Sequence, residues 1–218
     1  YHVSDGLSNN ALINLLRSGR QSPVMVTFNN LRTMEELAGK ISSQLEPDSI
    51  SFLSYFRKEQ VPGEYGFTEA SFPALFIPNS YEFFWSTGPD GFVKRMAREW
   101  NAFWDEERKE KAARLNMSPE EVSTLASIID EETRFDEEKA TIAGVYINRL
   151  RKGIPLQADP TIKFALGDFG KSRILTRDLE VNSPYNTYRN SGLPPGPIRI
   201  PSVAAIDAVL DSENHSYL

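Results

Sequence analysis

The chain has 218 residues, of which 40% are hydrophobic and 25% charged, and its formal net charge is −6. This acidic balance, without a basic stripe, argues against a nucleic-acid partner, and the absence of cysteine excludes disulfides, thiolate zinc sites and a cysteine nucleophile. The two histidines, His2 and His215, lie near opposite ends of the chain, so neither a histidine-based metal site nor a Ser-His-Asp triad is expected.

No apolar run approaches the roughly 18 residues that cross a bilayer. The first residue, Tyr1, is not Met. We therefore expect a fragment of a longer chain, and a removed leader or membrane anchor stays open.

The first 45 residues predict a small α+β unit. Residues 1–3 are predicted as a strand, and Ser8 is predicted to cap a helix. Residues 24–28 are β-branched and aromatic, which is typical of a strand, and Thr33 begins a capping-box pattern for a second helix. This unit is interpreted either as a packing module or as a carbohydrate-binding module.

The middle of the chain predicts a change of domain near residue 70, which divides the chain into domains 1–70 and 71–218. A short helix is expected at residues 52–56. A single long helix is expected over residues 88–115, where aromatic residues recur at helical spacing. Core packing is favoured over a sugar-stacking stripe as the reason for these aromatics.

Three adjacent acids end the next predicted helix. Ser118 caps it, and the apolar stripe that follows, extended by one turn, reaches Glu132. Asp130 and Glu131 are predicted to point towards solvent. A carboxyl at the edge of a core favours its neutral form and can donate a proton to a leaving oxygen. The alternative is that Glu132 ends the helix and pairs with Arg134 or with an arginine further along the chain.

A further helix is predicted over residues 136–152, and polar loops follow it. Residues 155–161 and 183–188 are predicted as polar turns, and residues 192–198 as a stretch stiffened by proline. Their amide and hydroxyl groups suit a glycan, although plain turn chemistry would also explain them.

Five segments occur in the order of a known family: residues 125–133, 142–150, 156–161, 183–188 and 192–198. With them, the chain resembles the YceG-like endolytic murein transglycosylases, the MltG family. The resemblance is weaker over the first 45 residues, which are similar to the LysM-like module of that family.

The resemblance implies an α+β chain, in which a LysM-like module precedes a mainly helical, lysozyme-like catalytic domain with short strands from the loop motifs. It implies a bacterial enzyme of the inner membrane, anchored by one N-terminal helix outside this chain and facing the periplasm. Such an enzyme cleaves nascent peptidoglycan between N-acetylmuramic acid and N-acetylglucosamine and leaves 1,6-anhydro-muramic acid ends. Its partners are glycan strands and cell-wall synthesis enzymes, and no cofactor is implied.

The family's catalytic Glu precedes a Thr, and Glu132 occupies that position here. The loop motifs add candidates for substrate binding: Asn148, Gln157, Asp159, Thr161, Tyr185, Asn186, Thr187 and Tyr188. Asp159 is also the candidate second carboxylate of an alternative, a muramidase that adds water.

The sequence departs from the family in two places. Asn79 stands where the family often has Asp, and the chain ends at Leu218, before further strands and a His-containing segment of the family. A non-catalytic peptidoglycan-binding scaffold and a regulatory ectodomain that binds other proteins remain rival hypotheses.

Overall fold

The computed structural model describes residues 1, 3–19 and 21–218. The chain is mainly helical, with a two-stranded antiparallel sheet formed by β1 (Val24–Phe28) and β2 (Asn79–Phe83). The helices are α1 (Asn9–Arg17), α2 (Met34–Ser42), α3 (Ser49–Phe56), α4 (Gln60–Glu64), α5 (Pro89–Phe103), α6 (Glu106–Arg114), α7 (Pro119–Glu132), α8 (Asp136–Arg151), α9 (Asp159–Leu166) and α10 (Val203–Leu210).

The sheet joins the two halves of the sequence. Its register runs from Val24 opposite Phe83 to Phe28 opposite Asn79, so a strand of the first 70 residues pairs with one beyond them. Alternate residues face the core, as the two-residue period of a strand requires. Because this pairing crosses residue 70, it gives no support to a boundary there, and the division into two domains stays a prediction.

One hydrophobic core runs from the sheet to the C-terminal helices. At the sheet end, Phe92 on α5 lies at the centre of a cluster of aromatic rings. At the other end, α10 packs against α7 and α8. This packing fixes α7, whose residues 122–129 are buried along the whole middle of the helix.

The predicted long helix over residues 88–115 is wrong, because the chain bends at Trp104. There α5 ends, and Asp105 caps α6 by accepting the N–H of Arg108 at 2.9 Å. An aspartate followed by two glutamates is a helix-start signal, so the sequence carried the information for this break.

Other secondary-structure predictions also need correction. Tyr1 and Val3 lie in irregular backbone rather than in a strand, and His2 lies outside the described residues. The loop motifs form no strand at residues 183–188 or 192–198, and Asp159 begins helix α9 instead of lying in a turn. Mainly helical architecture is confirmed, whereas the LysM-like and lysozyme-like likenesses stay predictions.

Among the described helices, none is both long and apolar enough to cross a membrane.

Candidate active site

Helix α7 begins as predicted. The Ser118 hydroxyl accepts the Glu121 N–H at 3.2 Å, and the Glu121 carboxylate accepts the Ser118 N–H at 2.8 Å. This capping box satisfies two N–H groups that a helix start otherwise leaves without partners. With its start capped and its middle buried, α7 presents its last turn, residues 130–132, in one defined position.

Asp130 is buried, and the prediction that it faces solvent is wrong. Only 6% of its side chain is exposed, and one carboxylate oxygen lies 2.9 Å from the Lys139 ammonium on α8. The carboxylate also accepts the Ser202 N–H at 2.6 Å and the Ser202 hydroxyl at 2.8 Å. Asp130 therefore ties α7 to α8 and to the start of α10.

Glu131 also binds side chains of this chain, contrary to its predicted exposure to solvent. Arg32 donates to both of its oxygens, at 3.0 Å and 2.9 Å, and Arg199 donates at 2.7 Å. Arg199 in turn contacts the Asn30 side chain. These contacts join the segment after β1, the last turn of α7 and the residue that follows the proline-stiffened stretch 192–198, and the partners are far apart in sequence.

Glu132, the last residue of α7, is the most exposed of the three acids, although the helical stripe predicted it at the buried edge. It lines a cavity of about 1000 Å³ together with Thr133 and Pro78. Within the part of the chain that the structure describes, Glu132 forms no ion pair, and Arg134 is not its partner. Its carboxyl is thus accessible to a ligand in the cavity.

The environment of Glu132 raises the pKa of its carboxyl. The largest cause is loss of hydration in the walls of the cavity, followed by the negative charge of Asp159. A hydrogen bond from the Tyr146 hydroxyl and the charge of Lys163 lower the pKa, but the raising effects prevail. The negative end of the α7 dipole also disfavours a carboxylate at this position. Glu132 is therefore suited to carry a proton.

Thr133 fixes the turn that follows Glu132. Its hydroxyl donates to the Glu138 carboxylate at 2.6 Å and accepts the Phe135 N–H at 3.1 Å. Since Thr133 itself is extended and buried, the chain turns sharply from α7 into α8. This turn keeps Glu132 at the cavity wall.

Asp159 is positioned by a tyrosine. The Tyr188 hydroxyl donates to an Asp159 oxygen at 2.6 Å. Burial and this contact raise the pKa of Tyr188 to about 12, so the hydroxyl stays protonated. The charge of Asp159 acts on Glu132, although Asp159 is not among the residues that line the cavity.

Three predicted binding residues, Thr161, Asn186 and Thr187, are buried. Their hydrogen bonds form a polar network, here called the loop framework. The Thr187 hydroxyl accepts the Ala158 N–H at 3.0 Å and lies 2.8 Å from the Thr161 hydroxyl. The Asn186 amide donates to the backbone oxygens of Leu179 and Val181, both at 2.8 Å. These contacts position the start of α9, and direct sugar contact by Thr161, Asn186 and Thr187 stays a prediction.

Gln157 and Tyr185 sit nearer the surface. Gln157 adopts a left-handed backbone with φ of 56°, its N–H donates to the Thr187 carbonyl at 3.0 Å, and its side chain accepts from Arg149 at 3.4 Å. Tyr185 packs its ring 4.6 Å from that of Phe164. Their contacts with glycan also stay predictions.

Asn148 lies apart from the residues that line the cavity with Glu132. Its amide donates to the His215 carbonyl at 2.7 Å and to the Tyr217 carbonyl at 3.1 Å. In this structure it holds the C-terminal segment against α8.

Asn79, which stands where the family often has Asp, lies exposed at the start of β2.

Sequence reasoning missed two residues that act on Glu132. These are Tyr146 and Lys163, and neither was among the candidate site residues. Lys163 follows Asp159 by one helical turn, a spacing that was available once Pro160 was recognised as a helix start.

Among the described residues, no group of three or more His, Asp or Glu side chains is arranged to hold a metal ion.

Comparison with known proteins places the chain in a family. An endolytic murein transglycosylase of Bacillus subtilis (strain 168) is 30% identical over 237 residues, which cover 100% of this chain but 64% of that relative. A Streptococcus pneumoniae protein of the same name (serotype 2, strain D39) is 38% identical over 100 residues, 44% of this chain and 18% of that relative.

A crystal structure of a YceG-like protein from Listeria monocytogenes has the same fold. The TM-score is 0.75 at 26% identity, and the match covers 99% of this chain and 76% of that chain. The model of the YceG-like family matches residues 1–218, so this chain belongs to the YceG-like family.

Proposed function

We propose that this chain is the catalytic part of an endolytic murein transglycosylase. It cleaves the β-1,4 bond between N-acetylmuramic acid and N-acetylglucosamine in nascent peptidoglycan and leaves 1,6-anhydro-muramic acid ends. The observation that carries the proposal is Glu132, which combines a raised pKa with access to a large cavity, while Asp130 and Glu131 are occupied by protein partners. The names of the relatives support the choice of substrate.

One carboxyl performs both proton transfers in the proposed reaction. Protonated Glu132 donates its proton to the glycosidic oxygen as the bond from that oxygen to C1 of muramic acid breaks. The resulting carboxylate then takes the proton from the C6 hydroxyl of the same sugar, whose oxygen attacks C1. Glu132 is protonated again at the end, and no water enters the product.

Hydrolysis by Glu132 and Asp159 is the second candidate, because the charge of Asp159 acts on Glu132. A hydrolase needs a second carboxyl about 5 to 9.5 Å from the first, to attack the sugar or to activate water. Here one oxygen of Asp159 is already occupied by the hydrogen bond that it accepts from Tyr188. We therefore assign Asp159 to sugar binding and to the electrostatics of Glu132.

The cellular setting follows the proposed reaction. We infer attachment to the bacterial inner membrane through an N-terminal helix outside this chain, with the catalytic part on the periplasmic side. Glycan strands are the substrate, and cell-wall synthesis enzymes are the proposed protein partners. A scaffold that only binds peptidoglycan would share the cavity but would have no need of a protonated Glu132.

Replacing Glu132 by Gln tests the catalytic role. The variant keeps the size of the side chain but cannot transfer a proton, so we expect turnover of uncrosslinked glycan strands to fall by roughly 10²- to 10⁴-fold with strand affinity retained. Glu120→Gln is the matched control, since it makes the same change at the start of the same helix and away from the cavity. An E132Q variant that turns over at the wild-type rate would contradict the proposal.

A further inference from the structure

Most cations that line the cavity beside Glu132 are neutralised by protein carboxylates. Arg32 and Arg199 share Glu131. Lys139 lies 2.9 Å from Asp130 and 2.7 Å from Asp136. These charges hold helices and loops together and leave little electrostatic attraction for a ligand.

Two cations of the same cavity differ from that pattern. Within the described residues, neither Lys163 nor Arg134 forms an ion pair, yet both line the cavity. Asp159 would be the natural partner of Lys163, since it lies four residues earlier on α9. It instead accepts the Tyr188 hydroxyl at 2.6 Å and makes no ion pair with Lys163.

A free positive charge at this place opposes the chemistry. Lys163 lowers the pKa of Glu132, while Asp159 and the loss of hydration raise it. A general acid needs its proton, so an uncompensated lysine nearby is unfavourable. An anionic group of the substrate on Lys163 would cancel this charge and would favour the protonated acid at the moment of cleavage.

We propose that Lys163, together with Arg134, forms a subsite for a carboxylate on the peptide substituent of the glycan strand. The proposal rests on the proposed function, because muramic acid carries a lactyl group to which carboxylate-bearing peptides are attached. An ammonium and a guanidinium both form charge-assisted hydrogen bonds with carboxylates. The subsite selects strands with charged peptides over strands whose peptide carboxylates are amidated.

Two sets of strands that differ only in charge test the subsite. One set carries free peptide carboxylates, and in the other these are converted to amides. We expect the wild type to show a kcat/KM roughly 10-fold higher for the carboxylate strands, the worth of one charge-assisted hydrogen bond. In K163M this preference disappears, in R134Q it shrinks, and in the control K40M, which changes an exposed lysine on α2, it persists.

Two results would overturn the subsite. One is equal kcat/KM of the wild type on both sets of strands, and the other is a K163M variant that loses the same factor on both, which indicates only a structural role. If the wild type cleaved neither set, the proposed reaction would fail, and calorimetric binding of the two sets would decide the subsite separately. Tighter binding of carboxylate strands that K163M abolishes would support it, and equal binding would overturn it.

Discussion

Two buried regions of this protein differ in what fills them. Around Phe92, aromatic rings pack at centroid distances such as 5.2 Å to Phe83 and 5.8 Å to Phe52. Around Thr187, hydroxyl and backbone groups pair one by one, with the Ala158 N–H at 3.0 Å and the Thr161 hydroxyl at 2.8 Å. The first region carries no candidate site residue, whereas the second positions α9, which bears Asp159 and Lys163.

The difference lies in directionality. Burial of apolar surface stabilises a fold without prescribing a precise orientation, since it scales with area. A hydrogen bond constrains distance and angle, so a framework of them fixes where nearby side chains point. We infer that the aromatic core supplies stability and that the polar framework supplies geometry. Substitutions in the two regions should then separate stability from activity.

The largest effect on stability is expected at Phe92. Replacement by Ala removes a ring that is fully buried and leaves a cavity among its neighbours. The free energy of unfolding should fall by about 3–5 kcal/mol, as for other buried aromatics. Urea unfolding measures this loss, and the molecules that remain folded should keep their specific activity. A loss below 1 kcal/mol would show that the core does not depend on this ring.

Thr187→Val should lower both the free energy of unfolding and the activity. The variant keeps the shape but leaves the buried Ala158 N–H without an acceptor, at a cost of about 1–3 kcal/mol. Activity should fall further than unfolding explains, because α9 loses its anchor. Thr27→Val is the control, since it removes a hydroxyl contact at the exposed face of the sheet and should cost less than 1 kcal/mol. Equal losses of stability and of activity in the two variants would show that the loop framework does not position α9.

Tyr188→Phe should change activity more than stability. It removes only the hydroxyl that donates to Asp159, which costs about 0.5–1.5 kcal/mol. Release of Asp159 alters both its position and its effect on Glu132, so we expect kcat/KM to fall roughly 10-fold. Steady-state kinetics on glycan strands measure this. An unchanged kcat/KM would show that Asp159 needs no support from Tyr188.

The smallest effect concerns stability at different pH values. Because the pKa of Glu132 is raised in the folded state, ionisation costs more there than in the unfolded chain. The cost is absent below the unfolded pKa and grows as pH rises. E132Q should therefore have a higher Tm than the wild type at pH 8, where the wild type bears the cost of ionising Glu132. At pH 4 the Glu132 carboxyl is largely neutral, like the amide of E132Q, so the two proteins should have the same Tm. E120Q should show no such gain, since a carboxylate is favourable at a helix start.

Local sequence signals predicted part of this structure well. The pattern at Ser118 and Glu121 placed the start of α7, because a capping box involves residues only three positions apart. Glu132 was singled out from the helical stripe and the family motif, although its exposure was not foreseen. The catalytic assignment itself stays a prediction that turnover must test.

Contacts between residues far apart in sequence could not be predicted from the sequence. Glu131 meets Arg32 across 99 positions and Arg199 across 68, and no local pattern links such residues. The same holds for Asp130, whose partner Ser202 lies 72 positions away. The solvent-facing prediction for these two acids failed because a helical wheel shows direction but not what packs there.

The most direct test of the central claim is mass spectrometry of uncrosslinked glycan strands digested by the wild type and by E132Q. We expect 1,6-anhydro ends from the wild type, lighter than hydrolysed ends by one water, and roughly 10²- to 10⁴-fold fewer of them from E132Q in the same time. Hydrolysed reducing ends from the wild type, or anhydro ends that E132Q forms as fast as the wild type, would contradict the proposed function.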